Sequence, residues 1–472
     1  MSKFLFSILC SFGSMATPGA QGERLPALDA ARTLLRDANI VDLENGRILT
    51  HRTISIRDGR IEAIHEDPAF SLEGARIIEC KGERFVMSGL VDMHLHLPPD
   101  DGTEKSPAKR TLALLLANGI TTARGMAGHP SHVGLRDRIA SGTELGPTLY
   151  VAGQPLHYGS VSNATTASQA VGKHDDLGFD LIKSHHIVVP EIFDAIQTTA
   201  KDRGIPVAGH VTNEVGWKRA LTARMQFEHL DGIVFALMRP GYDGEPFGQF
   251  PPLPALELVD EDRLPELAGK FATEHVPNTP TLALFEAICD GTTKTDELAA
   301  RAEMKYIPRA TLAQWKQQRD GRLAAGFPEP EMAKRFVELR RKIVRALRDA
   351  KAPLMVGSDC PQDFFVEGFA THAELEALET AGLTPREVLL CATRSPSEYL
   401  NALPEHGSAR GYAADFGDLV PGKRADLLIL EKNPLEGVAN TRAIAAVILR
   451  GRVLDRAALD ALLTDAARLA GN

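Results

Sequence analysis

Cysteine is scarce in this chain: Cys10, Cys80, Cys289, Cys360 and Cys391 are the only five in 472 residues, and no two form a C-x-x-C pair. That argues against a disulfide framework and against a thiolate metal centre. Long basic runs are missing too. The 53 lysines and arginines are interspersed among 62 acidic residues, for a net charge of −9, so the electrostatic footprint of a nucleic-acid binder is absent. Beyond the N-terminus no apolar stretch approaches the ~20 residues of a membrane-spanning helix. The partner these absences leave is a small molecule, with self-association left open.

Residues 1–22, MSKFLFSILCSFGSMATPGAQG, set Lys3 before an apolar run over 4–12 and small residues after it. This order resembles a secretory signal peptide, cleaved after Ala16 or Ala20, and predicts a secreted or periplasmic protein. A frayed apolar start on a cytoplasmic chain is the competing reading. Residues 23–86 then read as short strands, with Asn45-Gly46 and Asp58-Gly59 as hairpin turns between alternating apolar runs. Residues 404–472 repeat the style, with Gly451-Arg452 as a turn and a final helix over 456–469. Both ends are expected to build one small β-sandwich.

The middle, 87–403, alternates apolar β-like runs with helical stretches, the pattern of parallel βα units. The predicted class is therefore α/β: a (β/α)8 barrel with a small β-sandwich domain built from both chain ends. Its strands are expected at 86–97, 120–126, 148–153, 180–186, 206–211, 225–230, 276–282 and 353–359, the seventh interrupted by prolines. A helical insertion over about 283–352 is too long for a plain connection. It is expected to act as a lid or cap, with an oligomer contact or decoration as alternatives.

The first barrel strand, VMSGLVDMHLHL, ends in His94-x-His96. Alternate strand residues share a side, so the two imidazoles can meet one ion. With 15 histidines in the chain, chance alone supplies roughly half of one such pair, so context must decide. The context is polar residues at successive strand ends: Lys183 on the fourth, His210 on the fifth, His229 on the sixth and Asp359 on the eighth. Barrel enzymes carry their chemistry at that end. Each histidine alone reads as readily as a hydrogen-bonded core residue; their joint recurrence does not. Four imidazoles and a carboxylate, without sulfur, suit Zn²⁺ or a neighbouring transition ion. Lys183 is the exception, because an ammonium repels cations. It is either an ordinary lysine, paired with an acid or turned to the surface, or a lysine that has captured CO₂ as a carbamate able to bridge two metals.

The segments GLVDMHLHL, NGITTARGM, DLIKS, AGHV, FEHLDG and VGSD, with LTPREVLLCATRSPSEYL and GDLVPGKRADLLIL later, resemble the amidohydrolase superfamily in its binuclear, carboxylated-lysine form. Within it they are similar to the imidazolonepropionase-like branch that includes Xaa-Pro dipeptidases. The resemblance spans about 38–455. It implies that His94, His96 and Asp359 hold one divalent ion, His210 and His229 a second, and carbamylated Lys183 bridges them, the ions being zinc. It further implies a metal-bridging hydroxide as nucleophile and Asp359 as proton carrier, in a hydrolase of amide, peptide or cyclic amide bonds such as a dipeptidase or N-acyl amino acid hydrolase.

For substrate contacts the resemblance suggests His157, which follows Pro155-Leu156 where the relatives carry two glycines. They also carry a tyrosine where this chain has Thr212. Tyr158 and Arg239 could compensate, and His185 shares the side of Lys183. His186 is expected to pack outward and Glu228 to point away from the metals. His129 and His132 are read as loop decoys, and His372 and Glu374 as structural. The competing functions are a lactonase or phosphotriesterase on the same site, a single-metal deaminase that would have no use for Lys183, and a barrel kept only for binding.

Overall fold

The computed structural model describes residues 32–239, 253–403 and 414–471; the expected signal segment, 1–22, lies outside them. Five strands open the chain: β1 (Thr33–Asp42), β2 (Arg47–Arg57), β3 (Arg60–His65), β4 (Arg76–Glu79) and β5 (Phe85–Ser88). Seven short ones follow, alternating with helices: β6 (Leu90–Leu95), β7 (Ile120–Gly125), β8 (Thr148–Val151), β9 (Ile182–Ser184), β10 (Val207–Gly209), β11 (Gln226–Glu228) and β12 (Asn278–Thr279). The last three are β13 (Leu427–Leu430), β14 (Ile444–Leu449) and β15 (Arg452–Asp455).

The two chain ends share a single eight-stranded sheet, joined where β5 pairs antiparallel with β13. Side chains alternate strictly there. Val86, Leu427, Ile429, Ala446 and Ile448 enter a cluster with Leu35, Ile54 and Ile61. Their neighbours Met87, Leu428, Leu430, Val447 and Leu449 face the larger core. Strand β3 at one end of the order and β14, next to the other end, thus contribute to one cluster, so the sheet curls over its own apolar face. The predicted sandwich is in this respect one curled sheet, not two separate ones.

In the middle, β6, β7 and β8 pair in parallel, as do β9 through β12. Parallel bridges at Ala152–Leu181 and Leu156–Ser184 join the two sets. Residues 353–360 lie between β12 and β6, bridging Asn278 through Leu354 and Leu95 through Cys360. The arrangement is TIM-barrel-like, with an added sheet domain.

All the predicted barrel strands are shorter than expected, the first being split at Gly89 between β5 and β6, and two are reduced furthest. The seventh is reduced to Asn278–Thr279, because Pro277 and Pro280 offer no N–H to a ladder. The eighth makes isolated bridges only. Both Ser358 and Asp359 donate to the same carbonyl, His94 O, at 3.0 and 2.7 Å, and Asp359 turns left-handed at φ 54°, which ends one-to-one pairing. The final helix is where the sequence puts it, Arg456–Leu469, with the Asp455 side chain accepting from Ala458 N at 3.0 Å.

The expected lid differs most. Its longest helix, Pro330–Asp349, buries Ala333, Phe336, Arg340, Ile343 and Leu347 along one face. That spacing of three and four is an amphipathic stripe, and its apolar members belong to the main core. This helix is wall, not cover. Its neighbour Arg309–Ala324 meets the loop after Asp359, through Arg322 with Asp363 at 2.6 Å and Trp315 against Phe364.

Candidate metal centre

The site begins where β6 ends. Asp92 accepts from His94 N (3.0 Å), Ser358 N (3.1 Å) and Thr371 Oγ (2.7 Å), which locks β6 to the segment carrying Asp359. Asp359 Oδ1 consequently lies 3.3 Å from His94 Nε2 and 3.2 Å from His96 Nε2. Potential ligand atoms of these three residues all fall within 4.8 Å of one another.

The other imidazoles close on this group. The His229 ring is 4.6 Å from that of His94 and 4.6 Å from that of His210. Each ring is oriented by its far nitrogen. His94 Nδ1 contacts Glu228 Oε2 at 2.6 Å, and His210 Nδ1 contacts Asp231 Oδ2 at 2.7 Å. His229 Nδ1 reaches Thr281 Oγ at 2.8 Å, and that hydroxyl donates to Pro280 O at 2.8 Å. With Glu228 and Asp231 ionised, these carboxylates can only accept, as can the Thr281 hydroxyl whose proton is already used, so Nδ1 carries the hydrogen in all three and Nε2 keeps its lone pair. Metal-binding histidines are held in this way.

Within this cluster three buried atoms are left without a hydrogen-bond partner: His94 Nε2, His229 Nε2 and Lys183 Nζ. Polar atoms are seldom buried unpaired, and a cation is a partner that two imidazole lone pairs can take. Burial holds the imidazoles of His94, His210 and His229 well below their ordinary pKa, and that of His96 down at about 4. They are therefore neutral near pH 7, the ligand form. Burial also lowers the Lys183 amine, against the pull of Glu228, which favours the free base that could react with CO₂. It pushes the Asp359 carboxyl up to about 7. The donor set fits divalent ions.

Several residues lie differently from expectation. Glu228 does not point away: it sits inside the barrel beneath His94, paired with Arg124 Nη2 at 2.7 Å and Gln226 Nε2 at 2.7 Å. His229 is left-handed at φ 61°, so the strict alternation that would oppose the two side chains is broken between them. His186 does not pack outward either. With φ 49° it turns back, its Nδ1 2.7 Å from His185 Nδ1 and its ring 5.5 Å from that of His210. His129 and His132 flank the start of helix Ser131–Ala140 rather than lying in a plain loop. Gly134 and a weakly amphipathic sequence hid that helix. His132 Nε2 meets Pro98 O at 3.1 Å, a structural role.

Among the substrate candidates, the His185 ring lies 4.6 Å from that of His210. His157 is half-buried, its Nδ1 accepting from Gly159 N at 3.0 Å, and Tyr158 beside it is 65% exposed. Arg239 is exposed, with no described hydrogen bond or ion pair linking its guanidinium to the cluster. Thr212 spends its hydroxyl on Ile187 O at 2.6 Å. His372 clips Thr441 Oγ to Asn118 O, and Glu374 accepts from Ala283 N; both are structural, as expected.

Against known proteins, the amidohydrolase family profile matches residues 85–454. Among solved structures the chain is similar to a bottromycin amidohydrolase, at 24% identity and TM-score 0.70 over 93% of this chain and 90% of that one. It is also similar to a Xaa-Pro dipeptidase with bound methionine in the active site, at 19% identity and TM-score 0.61 over 90% and 100%. At such identities these likenesses speak for the fold. A dihydroorotase from Geobacillus thermodenitrificans (strain NG80-2) is 33% identical over 84 residues, 18% of this chain and 19% of that protein. The chain thus matches about a fifth of that relative's length.

Proposed function

The chain belongs to the amidohydrolase family; we propose that it is a hydrolase of carbon–nitrogen bonds that works with two divalent ions, zinc by ligand type, and cleaves an amide, peptide or cyclic amide of a small molecule. In this reading His94, His96 and Asp359 hold one ion, His210 and His229 the other, and Lys183, carboxylated by CO₂, lies between them. The observation that carries it is the set of three buried, unpartnered atoms, His94 Nε2, His229 Nε2 and Lys183 Nζ. Bound there, such ions would acidify a water and polarise the scissile carbonyl.

The chain's own groups do the rest. Glu228, Asp231 and Thr281 keep the three imidazoles in the Nε2-presenting tautomer. Asp359, set between His94 and His96, takes the proton of the attacking water and returns it to the leaving nitrogen. His157 and His185 line the approach, with Tyr158 at its rim; Arg239 is the weakest member of that set. The bridges flanking residues 353–360 support a closed (β/α)8 barrel that starts at β6 rather than at residue 87, with the strands of 33–88 and 427–455 forming the second domain. The order of charge and apolarity in 1–22 supports a secreted or periplasmic protein.

Dipeptides and N-acyl amino acids are the favoured substrates. Because the Thr212 hydroxyl is committed to Ile187 O, one carboxylate-gripping donor is missing, which keeps lactones and phosphotriesters as the second reading. The test is turnover by the metal-loaded protein of a panel of dipeptides, N-acyl amino acids, lactams, lactones and phosphotriesters. Hydrolysis of an amide or lactam is expected. Turnover confined to phosphotriesters would overturn the amide assignment.

A further inference from the structure

Arg340 is a charged side chain in an apolar setting. It lies on helix Pro330–Asp349, is 2% exposed, and has its guanidinium carbon 3.8 Å from the centre of the Phe285 ring. Among the described residues no carboxylate forms an ion pair with it. Burying a cation this way is costly, and a methionine or leucine would fill the same space at less expense. The guanidinium instead donates to two backbone carbonyls, His229 O at 2.8 Å and Pro280 O at 2.7 Å.

Those two carbonyls define a closed circuit. Pro280 O also accepts the Thr281 hydroxyl, Thr281 Oγ accepts His229 Nδ1–H, and His229 O returns to Arg340. Two of the residues so tied, His229 and Thr281, are left-handed, at φ 61° and 49°. Such a backbone is unfavourable for side-chain-bearing residues unless its surroundings enforce it. One planar fork therefore fixes both the bend that carries the ring and the acceptor that sets its tautomer.

We propose that Arg340 is a positioning residue for His229: it holds the imidazole as an Nε2 donor facing the metal site. The helical insertion thereby builds one half of the site instead of covering it. The metal-affinity part of this inference rests on His229 being a ligand, as proposed above; the tautomer part does not.

The test uses the full chain with ¹⁵N-labelled histidine and two variants, Arg340→Met and Thr281→Val. In the metal-free protein, nitrogen NMR should show His229 as a single Nδ1–H tautomer, identified by the signals that His229→Gln removes. Either variant should give mixed tautomers with an unchanged circular-dichroism spectrum. Zn²⁺ affinity, read by chelator competition, should fall about 10- to 100-fold. Arg340→Lys, which can reach only one carbonyl well, should recover part of the loss.

A single tautomer and wild-type Zn²⁺ affinity in both variants would overturn the proposal. If Arg340→Met does not fold, Arg340→Lys decides: a wild-type tautomer and wild-type Zn²⁺ affinity in it would overturn the proposal. A wild-type protein that binds one ion while its tautomers shift on mutation would refute the two-ion reading and leave the role of Arg340 standing. Two ions with no tautomer shift would do the reverse.

Discussion

The two walls of the candidate site are held by different means. On one side His94, His96 and Asp359 are fixed from within the barrel: Asp92 ties the strand ends together, and His94 rests on Glu228, itself paired with buried Arg124. On the other, His229 stands at a left-handed bend outside any strand, held by Thr281 and by a guanidinium from the inserted helix. The first wall is intrinsic to the strand ladder. The second depends on a piece of chain a hundred residues downstream, so geometry there can change without dismantling the barrel.

The contrast should show first in activity. Asp359→Asn keeps the shape of the first wall but removes its proton carrier, and kcat should fall by about 10²- to 10⁴-fold. Steady-state kinetics on whichever amide is turned over will show it; an unchanged kcat would strip Asp359 of that role. Stability should come next. Glu228→Gln leaves the Arg124 cation buried without its counter-ion, at a cost of about 3–5 kcal/mol. Thr281→Val on the second wall removes the two neutral hydrogen bonds of that hydroxyl, to His229 Nδ1 and Pro280 O, at a cost of about 1–3 kcal/mol. Urea unfolding of the two variants compares the walls directly, and equal losses would erase the distinction.

A pH-dependent effect concerns the insertion's own seat. Glu374 accepts from Ala283 N at the start of helix Leu282–Cys289, and burial raises its carboxyl from 4.5 to about 8. A raised carboxyl binds its proton more tightly when folded. Its stabilising contribution is therefore full below about pH 4.5 and is lost as pH rises towards 8. Denaturant midpoints at pH 5 and pH 8 should drop with pH in wild type and drop less in Glu374→Gln. Parallel slopes would remove Glu374 as the cause.

What the sequence disclosed follows the same division. Strand alternation and the placement of polar residues at strand ends are local rules, and they were enough to bring His94, His96, His210, His229, Lys183 and Asp359 to one region. The groups that orient them were not legible, because each partner is remote: Glu228 is 134 positions from His94, Thr281 is 52 from His229, and Arg340 is 111 from His229. Alternation also failed wherever the backbone turned left-handed, at His186 and His229, and both Glu228 and His186 were misjudged for that reason. The insertion read as a lid because its length gave no hint that an amphipathic helix would be recruited into the barrel wall.

In the proposed site both walls hold a cation and Lys183 joins them. Metal analysis of purified full-length protein, compared with Lys183→Met, tests it most directly. Two ions per chain are expected in wild type and one in the variant, with a ¹³C-bicarbonate-derived carbamate signal only in wild type. One tightly held ion per chain in both proteins, with no carbamate signal, would contradict it.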